Sequence, residues 1–269
     1  MIIPPSQDAC SSSHGCFDPL EITWSKRLLT HTLKLNRERG DDRSAAHSLR
    51  HLCDANRGIG LCEEGIKQVE EASAIFKRLG NRLGEARCLM DLGPLFYSNH
   101  RFDAAEEAVS HTIALLPQKG EQSRVCEAHR ILGRIYQSKG EMRKAINHFE
   151  IALGIASSFG WNDLLFLVHY DLAYLFFGEG RFDDGQAHIE RAKSYAVNQS
   201  YYLGLVMELQ ARLWCKQHRL EEARAEALCA FDLIERLGAA KSLKRCRMLL
   251  ERIEKEMDKP AIPKKLTAG

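Results

Sequence analysis

The sequence predicts an all-α protein, a right-handed α-solenoid built from antiparallel helix pairs. Glycines recur at intervals of 40 residues, at Gly40, Gly80, Gly120 and Gly160, and Gly238 follows near the end. Self-similarity at such a period is typical of stacked structural units. Within each unit the apolar residues lie three and four apart, which is the period of a helix and not of a strand. A second turn divides each unit into two helices, at 100–103, 140–143, 180–183 and 218–221.

The repeat sets the order of elements along the chain. Residues 20–40 carry the apolar face of a single helix, Trp24, Leu28, Leu29 and Leu33, and form a half repeat without a first helix. Full repeats follow at about 43–80, 83–120, 123–160, 163–200 and 203–238. Residues 241–257 have one apolar stripe and an otherwise charged surface, which predicts a capping helix. The segments 1–19 and 258–269 are expected to be disordered.

Small residues recur at three places in each unit, and bulky ones lie between them. The small positions include Cys53, Gly93, Gly133, Ala173 and Ala211 in the first column, Gly65, Ala105, Ala145, Gly185 and Ala223 in the second, and Ala72, Thr112, Ala152, Ala192 and Ala230 in the third. Small side chains let two helices cross closely, and bulky neighbours fill the space beside the crossing. Two residues depart from the pattern. Asn56 replaces an aromatic, so the first unit should be the loosest or an altered end repeat. Pro94 follows Gly93, so its helix should be kinked or start late.

These residues resemble the tetratricopeptide repeat family. Its pattern is met best by Leu132-Gly133, Tyr136, Ala145, Phe149 and Ala152. The usual unit has about 34 residues, so the chain is similar to the long, 40-residue variety found in kinesin light chains, spindle-orientation adaptors and the C-terminal arms of STAND-type NTPases. The resemblance covers about residues 20–257 and implies fold far more than function, because the motif residues pack helices against each other.

Composition narrows the function classes. The 269 residues carry a formal net charge of +2, whereas nucleic-acid-binding domains are strongly basic. No apolar run is long enough to cross a bilayer, and no secretory signal is visible at the N-terminus. We therefore predict a cytoplasmic protein, with no nucleic-acid or membrane partner, whose nine cysteines are reduced. Cys88 and Cys229 lie in apolar helical patterns and are expected to be buried.

Residues that could carry chemistry are few. His47 and His51 are four apart with Cys53 nearby, but a structural zinc site needs four ligands and a fourth is missing. The glycines at 178–185 belong to a repeat turn, because neither a strand before them nor a Lys-Ser/Thr after them marks a phosphate loop. No nucleophile and base can be paired. The sequence thus predicts no enzyme, no cofactor and no metal site.

The resemblance implies that the first helices of successive units line a concave groove where partner peptides bind. Carried over position by position, the groove residues are rich in arginine at one end and aromatic toward the other. The candidates are Arg50, Arg57, Arg87, Tyr97, Arg130, Arg134, Tyr170, Tyr174, Phe177 and Arg212. Arginine and aromatic side chains are frequent anchors at interfaces. Arg50 and Asp54 stand where chaperone-binding members need Lys and Asn, which argues against capture of a chaperone C-terminus.

The leading hypothesis is a protein-binding adaptor or scaffold that grips a protein or peptide segment, an acidic one being favoured. The missing first helix before residue 20 motivates two alternatives. The chain is the regulatory C-terminal arm, or a fragment, of a STAND-type NTPase, or it self-associates through the uncovered helix at 20–39. An RNA-binding helical repeat is the weakest option, because no base-reading code is present.

Overall fold

A computed structural model describes residues 19–116, 120–197 and 199–258. These residues form helices and turns without a strand, which confirms the predicted all-α class. The helices in chain order are α1 (Pro19–Glu38), α2 (Asp42–Gly58), α3 (Cys62–Arg78), α4 (Arg82–Ser98), α5 (Phe102–Leu115), α6 (Gln122–Ser138), α7 (Met142–Phe159), α8 (Asn162–Gly178), α9 (Phe182–Tyr195), α10 (Ser200–Lys216), α11 (Leu220–Arg236) and α12 (Ala240–Met257). Most of the two segments predicted to be disordered lies outside the described residues.

The helices form pairs that stack in chain order. α2 packs on α3, and the same holds for the pairs up to α10 and α11, with α1 before the first pair and α12 after the last. The backbone of each even-numbered helix from α2 onward also comes close to that of the next even-numbered helix, while the backbones of odd-numbered helices come close only to those of their chain neighbours. The even-numbered helices therefore line the inner side of the solenoid. No helix in the described part of the chain combines the length and apolarity that a membrane span requires.

Both kinds of turn depend on one residue in the left-handed region. Gly160 at the end of α7 has φ 65°, and its N–H and that of Trp161 donate to carbonyls of the last helical turn. The turn inside the pair uses the same conformation, and His100 adopts it with φ 57°. Glycine takes this conformation without strain, whereas a residue with a Cβ adopts it at a cost.

The small columns allow the close helix crossings that the sequence predicts. A Cβ added to Gly133 of α6 would lie 2.6 Å from the ring of Phe149 on α7. Ala145 and Ala152 on α7 are fully buried. Val109 and Ile189, two of the bulky residues that lie between the small positions of their repeats, are fully buried as well. In two helix pairs a bulky side chain thus packs directly against a glycine of the partner helix, Phe149 against Gly133 and Val109 against Gly93.

One expectation needs correction and two are partly answered. Cys88 is buried, but Cys229 on α11 is exposed, because its helical position faces solvent. α4 begins at Arg82 and continues past Pro94 to Ser98, so the late start does not occur, and the kink, the other expected consequence of Pro94, stays a prediction. Asn56 is fully buried, and its side-chain amide donates to Gln68 of α3 at 2.9 Å. The looseness of the first unit stays a prediction.

The two ends of the solenoid differ. At the C-terminal end, Cys246 and Ile253 of α12 are fully buried, while Met248 on the same helix is 60% exposed. At the N-terminal end, Leu33 of α1 is buried, but Trp24 and Leu28 are 69% and 67% exposed. The apolar face predicted for residues 20–40 is therefore divided, with one part packed and the other open to solvent.

Candidate binding surface on the inner face

Each of the six predicted groove arginines forms an ion pair. Arg50 and Arg57 of α2 bond to Asp91 at 2.6 Å and to Asp54 at 3.0 Å. Arg87 of α4 lies 3.5 Å from Glu121. The remaining pairs are Arg130–Asp171 at 2.8 Å, Arg134–Asp171 at 4.0 Å and Arg212–Glu208 at 2.6 Å. The predicted residues lie on the inner helices, as expected, but their charges are already compensated within the protein.

The sequence reasoning did not pair these arginines with carboxylates. Arg50–Asp91 joins α2 to α4, and Arg130–Asp171 joins α6 to α8, so both connect successive inner helices. In each case the partners are 41 residues apart, one repeat plus one residue. This offset is a signal that the sequence contains, since inner-helix side chains one position apart in the repeat lie together in neighbouring repeats.

Two carboxylates each serve two arginines. Asp171 accepts from Arg130 and lies 4.0 Å from Arg134, and it is itself 5% exposed. Glu208 of α10 bonds to Arg212 at 2.6 Å and to Arg245 of α12 at 3.0 Å. The latter arginine was also missed, because α12 was read only as a cap. At each of these two places one carboxylate pairs with two guanidinium groups.

The structure brings four of the predicted residues into one cluster, from four successive inner helices. The guanidinium group of Arg134 lies 5.1 Å from the ring centre of Tyr97, whose hydroxyl lies 2.9 Å from that of Ser138. Burial raises the pKa of Tyr174, Arg212 nearby lowers it, and Tyr97 raises it. Tyr97, Arg134, Tyr174 and Arg212 are therefore close enough to act on one another. Arg50, Arg57 and Arg87 lie apart from them, on α2 and the first half of α4.

Accessibility divides the candidates into two groups. Arg130 is completely buried, and Arg134, Tyr97 and Tyr170 are each less than 10% exposed, so they form the floor of the inner face. The half-buried group consists of Arg50, Arg57, Arg87, Tyr174, Phe177 and Arg212. We call the last three, Tyr174, Phe177 and Arg212, the inner-face patch. Their side chains are open to solvent in part and can contact a partner without unfolding the protein.

Cys88 and Cys126 are buried thiols, and His47 packs against an aromatic ring. Burial raises the pKa of Cys88 to about 12 and that of Cys126 to about 11, so both are thiols and weak nucleophiles at neutral pH. His47 lies edge-on to the ring of Phe76 at 5.1 Å between ring centres. In the described ranges, no three His, Cys, Asp or Glu side chains are grouped as metal ligands would be.

Proteins of similar fold are found among solved structures. No family model matches the sequence, and no curated protein does so either. Among solved structures, BtubC (BKLC) from P. vanneervenii is 14% identical with a TM-score of 0.61, over 92% of this chain and 96% of that one. A Rap protein complexed with Competence and Sporulation Factor is also 14% identical, with a TM-score of 0.63, over 88% and 71%.

A third solved structure also consists of TPR-like repeats. It is a putative kinesin light chain from Podosopora anserina with nearly identical TPR-like repeats, 17% identical over 65% of this chain and 87% of that one, with a TM-score of 0.54. At such identities the likeness concerns the fold. The chain therefore has a tetratricopeptide-type repeat fold, as the sequence motifs predict, while its place in the long variety stays a prediction.

Proposed function

We propose that this protein is a non-enzymatic scaffold that holds a segment of a partner protein or peptide against its inner face. The observation that supports this most is the inner-face patch. Phe177 and Tyr174 provide apolar contact area, and Arg212 provides a directional charged group, on a rigid helical surface. Aromatic and arginine side chains of this kind dominate the binding energy of many interfaces. The Rap protein complexed with Competence and Sporulation Factor is a precedent for ligand binding by this fold.

We further propose that the partner segment is acidic. Glu208 is shared between Arg212 and Arg245, and Asp171 between Arg130 and Arg134. A carboxylate from a partner can pair with Arg212 while Glu208 keeps its bond to Arg245. Such complementarity contributes to specificity and to the association rate. We propose the cytosol as the compartment, where the free thiols stay reduced.

A comparison of two charge-matched double variants tests the function. Phe177→Ala with Arg212→Glu alters the inner-face patch. Leu228→Ala with Arg224→Glu makes the same chemical changes at exposed positions of the outer helix α11. After circular dichroism establishes that both variants fold, we expect affinity capture from native cells to lose partners with the inner variant only. If the outer variant loses partners, or if both variants keep all of them, the binding surface lies elsewhere.

Self-association through α1 is the second candidate, and one observation favours it. Trp24 and Leu28 are both more than 60% exposed on the same helix, which is unusual for side chains of this size. A second copy of α1 would cover them. Light scattering over a wide concentration range distinguishes a dimer from a monomer, and the double variant Trp24→Ser with Leu28→Ser is measured beside the wild type. Concentration-dependent dimerisation that the variant abolishes would support it, and a monomer throughout would exclude it.

A further inference from the structure

Two histidine pairs occupy equivalent places in neighbouring helix pairs. The Nδ1 atoms of His129 on α6 and His148 on α7 are 2.9 Å apart. The Nδ1 atoms of His169 on α8 and His188 on α9 are also 2.9 Å apart. Each residue of the first pair lies 40 positions before its counterpart in the second. The arrangement is therefore repeated with the solenoid, and each pair bridges the two helices of one unit.

An aromatic ring stacks on each pair. His148 stacks on Tyr136 with 5.2 Å between ring centres, and His188 stacks on Phe176 with 5.4 Å. On the other side of the second pair, the ring of Tyr195 lies nearly parallel to that of His169 at 5.9 Å. The second pair is thus flanked by side chains of both its helices.

The preceding unit lacks this pair. Counting back one repeat, Leu89 of α4 corresponds to His129, and Ala108 of α5 corresponds to His148. An apolar pair therefore serves the same packing position elsewhere in this chain, and the histidines are not required by the fold.

The distance between the ring nitrogens fixes where the protons lie. At 2.9 Å one Nδ1 must donate a hydrogen to the other, so the two rings of a pair are different tautomers. One added proton is tolerated, because it binds the outer nitrogen of the donor ring and leaves the N–H···N bond intact. A second proton makes both Nδ1 atoms donors. They then face each other with like charges, and the bond is lost.

The charged groups around the pairs do not offset this effect. Glu106 on α5 raises the pKa of His148, while Lys144 on α7 lowers it. Arg191 on α9 lowers the pKa of both rings of the second pair, and Asp184 raises that of one ring. Burial is the largest cause for all four rings, and the pKa of each is lowered, to about 4 for one ring in each pair.

We propose that the two histidine pairs form an acid-sensitive latch, which holds α6 to α7 and α8 to α9 at neutral pH and releases these two units when both rings of a pair take up protons from solvent. The unit of α4 and α5, with leucine and alanine at the same positions, stays closed. The latch is independent of the proposed function, since it concerns only how the helices of a unit are held together. It makes the middle of the solenoid the part that responds to pH.

Amide hydrogen exchange of the full chain tests the latch. Rates are measured by mass spectrometry at pH 7.5 and pH 5.0 and divided by the intrinsic chemical rates. We expect exchange in α6–α9 to rise at least tenfold relative to α4–α5 at the lower pH, because opened rings, with a pKa of about 6.5, bind protons at pH 5.0 and so favour the open state. The variant His129→Leu, His148→Ala, His169→Leu and His188→Ala should abolish this difference. His111→Gln, at an exposed histidine of α5, is the control and should leave it unchanged.

Two results would overturn the proposal. One is a uniform change along the wild-type chain, and the other is a rise in α6–α9 that persists in the fourfold variant. A second measurement needs no variant. Long-range nitrogen–proton NMR of the imidazole rings at pH 7.5 should show one Nδ1–H and one Nε2–H tautomer in each pair. Two Nε2–H tautomers in one pair would leave no hydrogen between the rings and would contradict the latch.

Discussion

Replacement of Asp171 by asparagine should destabilise the centre of the solenoid strongly. Asp171 is the carboxylate partner of Arg130, whose side chain is fully buried, and it also lies near Arg134. Removing one member of a buried ion pair typically costs about 3–5 kcal/mol, because the remaining charge has lost its compensation. An asparagine still accepts one hydrogen bond, so we expect the lower end, about 3 kcal/mol.

An exposed ion pair is the natural control. Arg37 and Glu71 also connect neighbouring helix pairs, but their side chains are 53% and 47% exposed. Glu71→Gln should cost about 0–1 kcal/mol, because solvent screens an exposed pair. The double variant Arg130→Met with Asp171→Leu, which removes both charges, should recover most of the loss.

Repeat proteins unfold unit by unit, so a single unfolding free energy is not the appropriate measure. We would combine urea unfolding, followed by circular dichroism, with amide exchange of α6 and α8. Asp171→Asn should lower the midpoint and increase exchange in these helices. Equal effects of Asp171→Asn and Glu71→Gln would show that burial of the inner-face ion pairs does not govern stability, and the reasoning would be refuted.

Three further predictions concern packing, turns and pH. Gly133→Ala should destabilise the protein by about 1–3 kcal/mol, because the methyl group would overlap Phe149. Gly154→Ala should stabilise it by up to ~1 kcal/mol, because the space around the added Cβ is free. Equal melting temperatures of the two variants would contradict this. His100→Gly should raise the melting temperature, because it relieves a left-handed residue at about 1 kcal/mol; no change would show that the turn is unstrained. Stability should fall from pH 7 to pH 5, because burial lowers the pKa of His169 in the folded protein to about 4. The same ring in the unfolded chain has a pKa of about 6.5 and binds a proton first, so the free energy of unfolding falls by about 1–2 kcal/mol from this ring after allowance for solvent screening. A urea midpoint that does not change with pH would refute this.

The fold could be predicted from the sequence because the packing depends on local rules. A small residue at each crossing, such as Gly133 and Ala145, is required wherever two helices pack this closely, and a glycine ends most of the repeats. Their recurrence reveals the period directly. The exposed Cys229 was missed because an apolar helical pattern does not distinguish the edge of a buried stripe from its centre.

The inner face could be predicted only in part. The family register places Arg130 and Tyr170 on the inner helices, but it does not say how closely those helices approach each other. The even-numbered helices contact one another, so side chains that would line an open groove are buried in its floor. The recurrence of the histidines could also be predicted, since His129 and His169 are one repeat apart. Their hydrogen bonds could not, because these depend on distances between side chains of different helices.

Photo-crosslinking determines whether the inner face binds a partner. A photoreactive amino acid is placed at Phe177 on the inner face or at Leu228 on the outer face, and the adducts from native cells are compared. We expect a defined adduct from position 177, acidic in the crosslinked segment and diminished by Arg212→Glu. An adduct from position 228 alone, or one from position 177 that is insensitive to Arg212→Glu, would contradict this expectation.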